Sequence, residues 1–215
     1  MSSRFDPQDL EFQDTVRLKP TVSLDALRDS FADAVKKSKN KKPVLEVSFE
    51  ATHSGVYQKK KTSYLPTEMA AAIPTWLSPF PKPVLKHHNQ TEDAIGRIKN
   101  AVYVDTSESF RAQYPHLSPI LLPETPIEQK IKIAGTIIRD ICDKDPGYNG
   151  LGYVKLTTEI SDEKAIEKFL DGRYLTPSTY FAPKDVRCSI CGQSLLDEGS
   201  DCEHVFGDFS SEGVP

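Results

Sequence analysis

The stretch CSICGQSLLDEGSDCEH places Cys188, Cys191, Cys202 and His204 in the order Cys-x2-Cys-x10-Cys-x1-His. A Cys-x-x-Cys on a turn aims two thiolates at one ion, and Gly192 lets the backbone close around it. A third thiolate and an imidazole on the returning chain complete a tetrahedral Zn²⁺ set. Four protein ligands leave no open coordination position, which makes such a site structural rather than catalytic. A redox Cys-x-x-Cys needs a thioredoxin-like strand–helix setting, and this stretch lacks one. A second group of candidates lies in KHHNQTEDAIGRIKNAVYV, where His87 and His88 stand before a turn and an alternating strand. A histidine at a strand end can act as general base if a hydroxyl faces it. Many serines could supply that hydroxyl, because such partners meet in space and not in sequence. Ser178, between Pro177 and Thr179, is an attractive one because proline there makes the strand irregular, although an ordinary strand serine fits the same residues. His53 and His116 read more simply as structural or loop histidines.

These residues need elements to hold them. The run VLEVSFEAT (44–52) alternates and is rich in β-formers, as is LGYVKLTTEI (151–160), so both read as strands. Short strands are expected at 84–86 and 97–105 around the His-His turn, and another at 173–181. PTEMAAAIPTWLSPFPKP (66–83) begins as a short helix and passes into a proline-rich loop. ETPIEQKIKIAGTIIRDICDKD predicts the clearest helix. Thr125 is its expected cap, Pro126 its first residue, Glu128 closes a capping box, and Ile127, Ile131, Ala134, Ile138 and Ile141 or Cys142 form its buried stripe. SDEKAIEKFLDG predicts a short helix capped by Ser161 and stopped at Gly172. Residues 23–36 predict an N-terminal helix, capped by Ser23 and ended by Pro43, that could dock on another protein. The mixture is α+β. It divides into an arm and helix at 1–43, a core at 44–182, and a metal-binding loop and tail at 183–215.

Composition sets limits. With 38% hydrophobic and 27% charged residues in 215, the chain can bury a core and is not globally disordered. A net charge of −4, with basic runs lacking interleaved aromatics, argues against a nucleic-acid binder. A histidine–metal nuclease built on HHN fails for want of paired ligands. No apolar run reaches the roughly 18 residues of a membrane span. The N-terminus also lacks the apolar centre of a secretory signal, so a reducing cytosol is expected.

Taken together, KPVLKHHNQTEDAIGRIKNAVYV, ISDEKAIEKFLDGRYLTPST and the Cys-x-x-Cys…Cys-x-His segment resemble tailed-phage prohead (head-maturation) serine proteases, which are related in fold to the herpesvirus assemblins. The resemblance spans about residues 44–207 and includes HSG, DAIGR and DGRYLT. It implies a mostly antiparallel, barrel-like β core with flanking helices and a small zinc-binding loop. It implies Ser178 as nucleophile and His88 as general base, with His87 supporting the strand end. It implies an endopeptidase that cleaves scaffold and major capsid proteins, and its own chain through self-association, inside the assembling prohead in the host cytoplasm. This chain departs from the family pattern at Pro177 and at Thr179-Tyr180, where many members have a hydrophobic residue before the serine and Ile-Gly or Val-Gly after it. Candidates for a third catalytic member after the serine are Asp197, Glu198, Glu203 and His204, all inside the metal loop. The chain also stops at Pro215, where the family usually adds further strands. The alternative is a catalytically inactive, zinc-stabilised structural protein of the phage particle.

Overall fold

The computed structural model describes residues 12–15, 44–56, 62–86, 91–142, 144–174, 178–181, 183–197 and 199–204, with Asp25, Arg28, Asp29 and Ala32. Along the chain come β1 (Phe12–Thr15), β2 (Leu45–Ser54), α1 (Pro66–Ala71), β3 (Pro83–Val84), β4 (Gly96–Asp105), α2 (Glu108–Gln113), α3 (Ile127–Ile137), β5 (Gly152–Ile160), α4 (Glu163–Leu170) and β6 (Ser178–Phe181). Short 3-10 turns follow α1 and α2, and a π-helical turn, Ile138–Cys142, continues α3.

The architecture is α+β, with a curled, antiparallel half-barrel sheet. Its strand order is β2-β5-β4-β3. The central strand β5 shows why. Gly152, Val154, Leu156, Thr158 and Ile160 are buried, while Tyr153, Lys155, Thr157 and Glu159 between them are half-buried. That period-2 pattern gives one core face and one wetter face. On the core face, Val154 and Leu156 pack with Ala51, Ile98 and Ala101 under α1 and its 3-10 extension. At the far end, Leu45 and Ile160 pack with Ala165 and Ile166 of α4. Gly96, in the DAIGR motif, has a packing role: a Cβ there would lie 2.3 Å from the carbonyl oxygen of Glu159 on β5. The short strands β1 and β6 pair antiparallel, with Thr15 opposite Ser178. β6 also runs alongside β2.

Residues 106–151 form a helical layer between β4 and β5, where Phe110, Leu117, Ile120, Ile133, Ile137 and Leu151 make a second core. The helix expected from Thr125 onward is present, but its details differ. Pro126 occupies the cap position and no side-chain cap bond forms, so the Thr125–Glu128 capping box is absent. The fully buried face is Lys130, Ile133, Ile137 and Ile141; of the expected stripe Ile141 is buried and Ala134 and Cys142 pack partly buried against the same core, while Ile127, Ile131 and Ile138 lie off it. Isoleucines lie on two overlapping faces of this helix, and contact with Phe110, Ile120 and Leu151 selects one of them. Lys130 is drawn inside with them. Only 3% exposed, it donates to Thr67 Oγ1 at 2.8 Å and reaches Glu68 Oε1 at 3.3 Å, tying α3 to α1. α4 is capped by Asp162 and not by Ser161, its carboxylate accepting from the Ala165 N–H at 2.7 Å. Gly172 ends that segment with φ +81°.

Asp25, Arg28, Asp29 and Ala32 are helical and exposed, within the expected N-terminal helix. Arg28 Nε donates to the Leu170 carbonyl at 2.7 Å, at the negative end of α4. None of the described helices is long and apolar enough to cross a membrane.

Candidate functional site

Residues 186–195 form a tight hairpin. The Leu195 N–H donates to the Val186 carbonyl at 2.6 Å, the Cys188 N–H to Gln193 at 2.9 Å, and the Gly192 N–H to Cys188 at 2.8 Å. Gly192 has φ +76° and open space around its Cα, so backbone conformation is what calls for glycine there. The turn also brings the Ile190 N–H to within 3.4 Å of Cys188 Sγ, a weak donor to a thiolate. Asp185 clamps the base of the hairpin, accepting from Arg187 Nε at 2.6 Å and Ser194 Oγ at 2.8 Å. Desolvation pushes the Asp185 carboxyl upward, but those two bonds outweigh it and hold it below the ordinary value.

The returning chain delivers Cys202 and His204, and all four ligand atoms lie within 4.8 Å of one another. His204 Nδ1 is 3.6 Å from Cys188 Sγ and 3.7 Å from Cys202 Sγ, and Cys191 Sγ is 3.6 Å from Cys202 Sγ. Cys188, Cys191, Cys202 and His204 can therefore hold a metal ion. Desolvation raises the Cys191 thiol, but a backbone N–H from Gln193 and bonds from the neighbouring ligands bring it down to about 7. Cys202 is pushed up to about 11, first by desolvation and then by Cys191 and Cys188. Cys142 stands apart from this group, its Sγ 3.6 Å from the Gly55 carbonyl, as suits a core residue.

His87 and His88 lie outside the described residues. So does the side chain of Ser178, whose backbone opens β6. Lys86 and Thr91 bracket the histidines in the β3–β4 connection, at the edge of the sheet opposite β2. Next to Ser178, Thr179 is 5% exposed and its Oγ1 has no partner among the described residues. Asp197 and Glu203 are exposed, and His204 belongs to the metal cluster. His116 is exposed on its 3-10 turn.

The family scan, the curated proteins and the solved structures returned no match.

Sequence reasoning left one arrangement aside. His53 Nε2 lies 3.3 Å from Glu50 Oε2, and its ring sits 5.5 Å from that of Tyr153. Tyr153 is raised above the ordinary phenol range, first by desolvation and then by the Glu50 charge. Its neighbours in the HSG motif are locked. Ser54 is fully buried, with Oγ 2.8 Å from Tyr103 Oη and donating to the Gly152 carbonyl at 3.2 Å. The Gly55 carbonyl accepts from Tyr148 Oη at 2.6 Å. Gly55 has φ +71°, and a Cβ there would meet Leu151 at 2.6 Å.

Proposed function

We propose that this chain is a zinc-stabilised serine endopeptidase of the prohead-maturation type. The observation that carries the reading is the placement of Ser178. It opens a short strand beside β2 of an antiparallel curled sheet, just ahead of a metal-ligand hairpin. That is the order the motif resemblance implies. Ser178 Oγ would attack the scissile carbonyl while His88 takes its proton. His88 would then return that proton to the departing amine, and water would hydrolyse the acyl-enzyme by the same path in reverse. The natural substrates on this reading are scaffold and major capsid proteins inside the prohead.

For the metal, the donor set itself favours zinc. A tetrahedral ion with Zn–S of about 2.3 Å and Zn–N of about 2.0–2.1 Å has S···S edges near 3.8 Å and S···N edges near 3.6 Å. Three of the six ligand separations, 3.6, 3.6 and 3.7 Å, match those edges, and all six lie within 4.8 Å. When bound, the ion would cross-link the hairpin to the returning chain, and its filled ligand set assigns it no part in peptide hydrolysis.

Treatment with a fluorophosphonate, followed by peptide mapping, tests the enzyme reading. Ser178 should carry the adduct, and His88→Ala should abolish it. A second reading, an inactive structural protein of the particle, is favoured by topology. The His87-His88 connection leaves the sheet at one edge, while β6 lies beyond the other. Neighbouring strands are about 4.8 Å apart, so a flat sheet of this order would separate the two by roughly 19 Å. Only closure of the curl brings them together. Wild-type protein that leaves Ser178 unlabelled, yet binds zinc and capsid proteins, would support the second reading.

A further inference from the structure

We propose that Cys191 is a site of oxidative modification, at which a peroxide drives a bond to Cys202 and releases the ion. The inference rests on the reading of Cys188, Cys191, Cys202 and His204 as a metal cluster. The four ligands differ in their access to solvent. Cys188 and Cys202 are 8% and 7% exposed and His204 is half-buried, whereas Cys191 is exposed. The hairpin accounts for the difference. Arg187 stands opposite Ser194, so Ile190 and Cys191 occupy its tip. Metal ligation holds all three cysteines as thiolates, the form that reacts with peroxides. Access to solvent then selects which of them reacts, and it selects Cys191.

A partner for the oxidised sulfur is already in place. Cys191 Sγ lies 3.6 Å from Cys202 Sγ, across the gap between the hairpin tip and the returning chain. A disulfide bond is about 2.05 Å long, so the two sulfurs need to close by only about 1.6 Å. The Cys191 thiolate attacks one oxygen of the peroxide, the O–O bond breaks, and hydroxide leaves from a sulfenic acid. The Cys202 thiolate then attacks that sulfur, the S–O bond breaks, and a second hydroxide leaves. Two electrons have passed from the sulfurs to the peroxide, and two protons from solvent complete two waters.

Cys188 and His204 then remain as ligands, too few for a four-coordinate structural ion. The hairpin itself survives the change, because its backbone bonds and the Asp185 clamp do not involve the sulfurs. What is lost is the tie through the ion between Cys188 and His204, whose Sγ and Nδ1 lie 3.6 Å apart. A thiol reductant reverses the bond by exchange and restores the ligand set.

The zinc-loaded full chain, freed of reductant and treated with hydrogen peroxide, tests this. A chromophoric chelator reads the zinc released, and peptide mass mapping reads the cross-link. One Zn²⁺ should leave per Cys191–Cys202 disulfide formed, and dithiothreitol with added zinc should restore the bound ion. Limiting iodoacetamide on the untreated, zinc-loaded chain should alkylate Cys191 ahead of Cys188 and Cys202. Both measurements use the wild type, so neither depends on a ligand variant that folds. Cys142→Ser, outside the cluster, should release zinc as the wild type does. Zinc retained in excess peroxide, alkylation that reaches Cys188 first, or a disulfide through Cys188 or Cys142 in place of Cys191–Cys202 would overturn the proposal and leave the metal cluster intact. Reduced wild type that binds no zinc would remove both.

Discussion

Replacing Cys202 by serine should dissolve the order of residues 183–204 while leaving the sheet intact. Among the described residues of this segment only Cys188 and Cys202 are buried, so it has almost no apolar core. Its order must come from the hairpin bonds, the Asp185 clamp and the ion that the Cys188, Cys191, Cys202 and His204 cluster could hold. A hydroxyl at 202 is a far weaker ligand than a thiolate for a borderline-soft ion. The loss should exceed the roughly 10–100-fold that removing a mere outer-shell partner costs. At saturating zinc a 100-fold weaker site forfeits about 2.7 kcal/mol of metal-linked stability. For a segment with two buried residues that is a large share of the total. Cys202 at about 11 is protonated at neutral pH without metal, so binding must release its proton, and affinity should fall as pH is lowered. Elemental analysis of reduced protein should find one zinc per chain in the wild type and in Cys142→Ser, and none in Cys202→Ser. Hydrogen exchange should speed up only within 183–204. A metal-free wild type, or Cys202→Ser with unchanged zinc affinity, would refute the reasoning.

Three further outcomes are expected. Lys130→Ala removes a buried stem and should cost about 2–4 kcal/mol, by analogy with large-to-small core changes, whereas Lys130→Met keeps the volume and should cost under about 1.5 kcal/mol in urea unfolding. Gly55→Ala combines φ +71° with a Cβ 2.6 Å from Leu151, so it should lose about 2–4 kcal/mol, read as a lower Tm. Asp105 accepts from the backbone N–H and hydroxyl of Ser107 and pairs with Arg111 at 2.7 Å; although desolvation opposes the shift, these hold its carboxyl below the ordinary value. Its contribution is therefore present above about pH 4 and lost as pH falls through the lower folded value. Asp105→Asn should cost about 1 kcal/mol at pH 7 and progressively less as the pH falls below about 4, in paired denaturation curves.

Much of this protein was legible in its sequence because the signals are local. β5 alternates from Gly152 to Ile160 and is a strand with one buried face, as that alternation requires. The clustering of Cys188, Cys191, Cys202 and His204 was legible because a hairpin of that length returns the chain to its own start, whatever the rest of the molecule does. Phase and partnership were different. Two isoleucine faces on α3 satisfy the same helical period, and only contact with Phe110, Ile120 and Leu151 decides that 133 and 137 go inside beside the expected Ile141, carrying Lys130 with them. Ser161 and Asp162 are both competent caps by residue type, and in the folded chain it is the Asp162 carboxylate that reaches the Ala165 N–H. His53 looked like an ordinary strand-end histidine. Its carboxylate partner exists because β2 slips one residue against β5, and a register slip is a property of two paired strands that neither sequence carries alone.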